Sequence, residues 1–220
     1  MSAAKPILLY WPNIIGYVRL ALTVAAVALH TGADSLAQTL TLLLATTLLD
    51  HVDGKVARLL GETSRVGVFI DVVVDNVTRA CTYVLAVAAT DAVADARGAR
   101  ITVLLACLLI AVEWITFAST HAASLIAKRH WKQAEIPAFM QAIFRDNFQT
   151  PLGVLVIGAL NALPLWLLVH QPTHVGALDA LRAWTAPLFV PLLLFRALGM
   201  CCELFFIARH VQELLQEKAE

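Results

Sequence analysis

The chain has 220 residues, 60% of them hydrophobic and 15% charged, with a mean hydropathy of +0.76. An ordinary soluble domain is roughly 45–50% apolar, so this composition describes an integral membrane protein. Its 16 basic residues balance 16 acidic ones, which gives no reason to expect nucleic acid or a strongly acidic partner.

The opening "MSAAKPILLYWPN" lacks the basic region, apolar run and small-residue cleavage site of a signal peptide. The first apolar segment, which contains Arg19, is therefore expected to be retained. A membrane helix needs about 20 mainly apolar residues. The sequence predicts six, near 11–31, 36–60, 66–90, 99–126, 151–170 and 183–209, in one all-α domain covering residues 1–220. Short polar punctuation such as "HTGADS" and "LGETS" separates them. In the first span Asn13 suits a helix cap after Pro12, and Arg19 suits a side chain that snorkels to the interface. The segment 128–149 sets Trp131, Phe139 and Phe144 among charges, and reads either as an interfacial amphipathic helix or as a partly ordered loop. Cys81, Cys107, Cys201 and Cys202 fall in apolar runs without metal-ligand spacing and are expected to be buried thiols.

Basic residues set the expected orientation. With six spans, one side carries Lys5, Lys55, Arg58, Arg65, Lys128, Arg129, Lys132, Arg145, Arg209 and Lys218. The other carries Arg97, Arg100 and Arg182, interspersed with Asp34, Asp91, Asp95 and Asp179. The positive-inside rule puts both termini at the cytosolic face.

Against this apolar background stands "LLDHVDGKVARLLGETSRVGVFIDVVVD", Leu48 to Asp75. On a helix, Asp50, Asp53, Gly54 and Ala57 share an arc of about 100°. Gly67, Asp71 and Asp75 repeat the arrangement on the next helix at i, i+4 and i+8. A short turn between neighbouring helices brings both aspartate pairs together near the cytosolic end. Four uncompensated carboxylates repel one another, so they either take up protons or bind hard divalent cations. An all-oxygen set favours Mg²⁺ or Mn²⁺ over zinc, and the small residues leave room for a bulky phosphorylated ligand.

Written as a pattern, the stretch is DxxDGxxARx8Gx3Dx3D, filled by Asp50, Asp53, Gly54, Ala57, Arg58, Gly67, Asp71 and Asp75. It resembles the signature of the CDP-alcohol phosphatidyltransferase family at every position. Within that family "WPNIIGYVRL" at 11–20 is similar to the start of the first helix in eukaryotic-type phosphatidylinositol synthases.

The resemblance implies transfer of a phosphatidyl group from CDP-diacylglycerol to an alcohol, myo-inositol first, with release of CMP. It implies that Asp50, Asp53 and Asp71, helped by Asp75, hold two divalent ions, Mg²⁺ or Mn²⁺. Asp75 would act as general base. Gly54, Ala57 and Gly67 would admit the cytidine and phosphates, and Arg58 would pair with a phosphate oxygen. Arg79, Glu113 and Arg196 are the candidates for holding the acceptor, although Arg79 also suits an i, i+4 pair with Asp75 and Arg196 a structural pair with Glu113 or Glu203. A homodimer follows from the same resemblance; the positive-inside rule puts the aspartate cluster at the cytosolic face, and with the eukaryotic-type similarity this points to the endoplasmic reticulum first and a bacterial inner membrane second.

Two positions depart from the inositol-using pattern. Asn76 stands where those enzymes place Arg, and "EWITFAST" from Glu113 replaces an Asp-x-x-Ser-His-Trp segment. They leave open a sister transferase using glycerol 3-phosphate or another small alcohol. A non-catalytic lipid-binding relative is another alternative. A divalent-cation transporter is disfavoured, because the carboxylates cluster near one face and no broken-helix repeat is visible.

Overall fold

The computed structural model describes residues 6–31, 35–88, 96–126, 136–171 and 176–216. Every regular element among them is helical. They are α1 (Trp11–Leu29), α2 (Leu36–Leu60), α3 (Arg65–Ala88), α4 (Ala96–Ile126), α5 (Ala138–Phe144), α6 (Pro151–Val169), α7 (Asp179–Thr185) and α8 (Phe189–Gln216), with short 3-10 turns between some of them.

Four stretches among the described residues are long and apolar enough to cross a membrane: Trp11–Leu29, Arg100–His121, Pro151–Val169 and Asp179–Gln216. The expected spans in α2 and α3 are not among them. Length is not the reason, since 25 and 24 residues at about 1.5 Å each exceed a hydrocarbon core of roughly 30 Å. Polar residues are the reason, in α2 Gln38, four threonines and His51 as well as the charges. α2 carries Asp50, Asp53, Lys55 and Arg58, and α3 carries Arg65, Asp71, Asp75 and Arg79. Of the residues behind the orientation expectation, Lys5, Asp34, Asp91, Asp95, Lys128, Arg129, Lys132 and Lys218 lie outside the described residues, as does the side chain of Arg97.

The chain forms two compact units, Met1–Thr102 with Leu167–Ala183, and Val103–Trp166 with Trp184–Glu220. In the first, α1 packs against both α2 and α3, which touch one another far less. The buried residues of α1 are Asn13, Gly16, Arg19, Thr23 and Ala26, spaced three and four apart on one face. Trp11, Val18, Val24 and Leu29 are exposed. Small and polar residues inward with apolar ones outward suit a helix surrounded by lipid, where small residues let backbones approach. At Gly16 an added Cβ would stand 3.1 Å from Ile70 Cγ2. Two turns further on, Thr23 Oγ1 lies 2.9 Å from Thr78 Oγ1.

The connection between α2 and α3 is closed by local chemistry. Gly61 takes the left-handed conformation at φ 64°, which costs glycine little, and the Glu62 N–H returns to the Ala57 carbonyl at 3.0 Å. Ser64 then caps α3, its Oγ accepting the Gly67 N–H at 2.9 Å. Glu62 also accepts the Trp11 N–H, tying the turn to the start of α1. Asn13 is not the cap expected of it; it is buried inside the first turn and donates through Nδ2 to the Ile7 carbonyl at 2.6 Å.

In the second unit Met140, Ile143, Val156, Cys202 and Phe206 form the core. The described part of the 128–149 segment is therefore packed: α5 supplies Met140 and Ile143, and a 3-10 turn at Arg145–Phe148 follows. Residues 127–135, with Trp131, lie outside the described residues. A Cβ at Gly153 would meet the Ile143 and Phe148 carbonyl oxygens at 2.5 and 2.7 Å, so the chain turns back against a bare glycine. Of the four cysteines, only Cys202 is buried; Cys81 is half-buried and Cys107 and Cys201 are exposed. The expectation of four buried thiols is corrected, because apolar runs in these helices cover outward as well as inward faces.

Candidate active site

The two halves of the signature converge as expected. Asp50 and Asp53 lie about two to three turns before the end of α2, and Asp71 and Asp75 lie about two to three turns into α3. The connection is short, so the four carboxylates come level with one another. Oxygens of Asp50, Asp53 and Asp71 all lie within 4.8 Å of one another. Asp53 is nearly buried, whereas the side chain of Asp71 is 45% exposed, so the cluster opens on the Asp71 side.

At its centre lies Arg19 of α1, whose side chain is 2% exposed. Nη1 donates to Asp53 Oδ2 and to Asp71 Oδ1, each at 2.8 Å. Nη2 pairs with Asp50 Oδ1 at 2.8 Å and with Asp75 Oδ1. Each terminal nitrogen thus joins one carboxylate of α2 to one of α3. Arg19 does not snorkel to the interface. A side chain held on the inward face of α1, one turn from Gly16 and from Thr23, cannot reach outward past its own helix. It is the site residue that sequence reasoning missed. The available signal was the polar stripe Asn13, Gly16, Arg19 and Thr23, which an ionisable residue within an apolar span is expected to share when it faces protein.

Around this centre, Arg79 Nη1 lies 3.8 Å from Asp75 Oδ2 and Arg79 Nη2 donates to Asn76 Oδ1. Asn76 is buried, and its Nδ2 has no hydrogen-bond partner among the described residues. The exposed Arg58 folds back over Gly54, where an added Cβ would stand 3.4 Å from Arg58 Nη1, an ordinary contact. Gly67 meets protein closely: a Cβ there would lie 3.0 Å from Asn13 Oδ1 and 3.1 Å from Ser64 Oγ. Ala57 is half-buried, and its carbonyl accepts the Gly61 and Glu62 N–H groups that close α2.

Glu113 and Arg196 belong to the second unit. Arg196 is buried and pairs through Nη2 with Glu113 Oε1 at 3.1 Å and through Nη1 with Glu203 Oε2 at 2.9 Å. This is the structural pairing that the sequence left open, made with both glutamates.

The donor set fits a hard divalent cation. All ligands are carboxylate oxygens, and trans oxygens of an octahedral Mg²⁺ lie about 4.2 Å apart, given bonds of about 2.1 Å. The place between the aspartates already accommodates the positive charge of a guanidinium.

A family model described as CDP-alcohol phosphatidyltransferase matches residues 9–169, well over half of the chain. The matched stretch contains Arg19, the four aspartates and Glu113, whereas Arg196 and Glu203 lie beyond it. No curated protein and no solved structure matches the chain.

Proposed function

The chain belongs to the CDP-alcohol phosphatidyltransferase family, and we propose that it transfers the phosphatidyl group of CDP-diacylglycerol to myo-inositol, releasing CMP. Family membership implies phosphatidyl transfer to an alcohol. The observation that carries the reading to this site is the convergence of Asp50, Asp53, Asp71 and Asp75 from two helices onto a single guanidinium.

In this proposal Asp50, Asp53 and Asp71, with Asp75, hold two divalent ions, Mg²⁺ or Mn²⁺. When bound, such ions neutralise the diphosphate and stabilise the charge developing on the leaving CMP. Asp75 takes the proton of the acceptor hydroxyl as its oxygen bonds to the phosphatidyl phosphorus and the bond from that phosphorus to the CMP oxygen breaks. Any carboxylate is a weak base toward an alcohol hydroxyl, so alignment of the hydroxyl supplies much of the rate. Gly54 leaves space beside Arg58, which is exposed and able to pair with a phosphate oxygen. Gly67 acts first by admitting Asn13, and Ala57 by ending α2 beside the substrate. Arg79 is the acceptor-side residue of this unit. Glu113 and Arg196 are assigned the role of joining α4 to α8, since their charges are engaged with one another.

The reading includes α2 and α3 as two further, charge-bearing spans, giving six, with the site at the cytosolic face and a homodimeric enzyme in the endoplasmic reticulum or a bacterial inner membrane. The diacyl tails then stay in lipid while the head group reaches water. The second reading is a sister transferase for glycerol 3-phosphate or another small alcohol, favoured by Asn76 and by the pairing of Glu113 with Arg196. Purified protein given CDP-diacylglycerol, Mn²⁺ and an equimolar mixture of myo-inositol, glycerol 3-phosphate and serine separates them. Phosphatidylinositol as the dominant lipid product supports the first reading, and a different head group replaces it by the second.

A further inference from the structure

Resting on the reading of the aspartate cluster as a divalent-metal site, we propose that Arg19 is a tethered cation that competes with those ions. It clamps α2 to α3 in the metal-free protein and surrenders carboxylate oxygens when metal binds, which weakens metal affinity.

The geometry carries this. α2 and α3 have little direct contact and are joined through α1. Across the cluster the link is Arg19, with Nη1 bridging Asp53 to Asp71 and Nη2 bridging Asp50 to Asp75. Three of the carboxylates it engages are those whose oxygens gather within 4.8 Å. A divalent ion seated among them draws on the same lone pairs and stands within a few ångströms of the guanidinium, about 2 Å from oxygens that Arg19 holds at 2.8 Å. Arginine does not shed its proton in proteins, so like-charge repulsion is relieved only by movement of the side chain. Its Nε has no acceptor among the described residues, so the carboxylates are what hold the head group in place. Without Arg19 the four aspartates lose the cation at their centre, Arg79 reaches only Asp75, and repulsion between α2 and α3 is left to metal or proton uptake.

The test uses the full chain in detergent micelles, with Mn²⁺ as the probe. Arg19→Gln removes the charge; Arg19→Lys keeps it but loses the planar fork that spans four carboxylates. Calorimetric titration should give Mn²⁺ binding at least tenfold tighter for Arg19→Gln than for wild type, with Arg19→Lys between. In EDTA both variants should melt below wild type, and saturating Mn²⁺ should raise their midpoints by more than it raises that of wild type. If Arg19→Gln does not fold in EDTA, its purification in Mn²⁺ together with the Arg19→Lys titration decides. Mn²⁺ affinity in the variants equal to or below that of wild type overturns the inference while leaving the metal site standing, provided Asp50→Asn weakens binding. Absence of saturable Mn²⁺ binding by wild type overturns the metal reading and this inference with it.

Discussion

Gly67 of α3 presents a bare Cα to Asn13 of α1: a Cβ at this position would stand 3.0 Å from Asn13 Oδ1, and Asn13 is itself buried and donates to the Ile7 carbonyl. The signature glycine therefore serves the α1–α3 contact that carries Arg19 to the aspartates. Gly67→Ala obliges Asn13 or Ser64 to shift by a few tenths of an ångström, and because Asn13 is buried and held by its bond to the Ile7 carbonyl, the strain should outweigh the roughly 1 kcal/mol that alanine gains in helix propensity. Thermal melting in detergent should show a midpoint several degrees lower, with turnover falling as Arg19 and the aspartates lose register. An unchanged midpoint would show that α1 and α3 are less closely apposed.

Asp75→Asn keeps the size of the side chain and removes the proton acceptor. Loss of a positioned base costs roughly 10²–10⁴ in rate, so kcat should fall by that order while the protein remains folded. Turnover within a few-fold of wild type would assign the proton to another group.

Arg196 holds two ion pairs in the second unit and is itself buried. Removing one member of a buried pair typically costs about 3–5 kcal/mol. Arg196→Ala strips Glu113 and Glu203 of this guanidinium and should give a large drop in melting temperature and in yield. Replacement of all three charges by Met and Gln should recover much of it. If Arg196→Ala instead folds normally and raises KM for the alcohol alone, Arg196 belongs to the acceptor site after all.

Gly153 has no such flexible neighbour. Its missing Cβ would meet two backbone oxygens at under 3 Å, and backbone cannot step aside as a side chain can. Gly153→Ala should destabilise the second unit more than Gly67→Ala destabilises the first, as read by melting of the two single variants under the same conditions. The reverse order would refute the close turn at residues 143–153.

The aspartate cluster was legible because helical spacing alone puts Asp50 with Asp53 and Asp71 with Asp75, and the turn chemistry of Gly61 and Ser64 folds one pair onto the other. Arg19 was not read this way, because an arginine within an apolar span has two outlets, lipid headgroups or protein, and only the small and polar stripe of Asn13, Gly16, Arg19 and Thr23 points to protein. The charges that make α2 and α3 a site also help erase their membrane signature, so the span count and the site compete for the same residues. Nothing in "RDNF" announces that Asp146 and Phe148 take positive φ, or that Phe148 lies against Gly153. For Arg196 the sequence offered Glu113 or Glu203 as alternatives, and the structure pairs it with both.

The central claim is that these four aspartates support metal-dependent phosphatidyl transfer. Its most direct test is CMP release from CDP-diacylglycerol and myo-inositol by the purified chain, followed as Mn²⁺ is titrated into EDTA-treated protein, with Asp71→Ala alongside. Release that rises saturably with Mn²⁺ in the wild type and stays at background in Asp71→Ala is the result expected. Release that is equal in the two proteins, or equal with and without the metal, would contradict the assignment of the cluster.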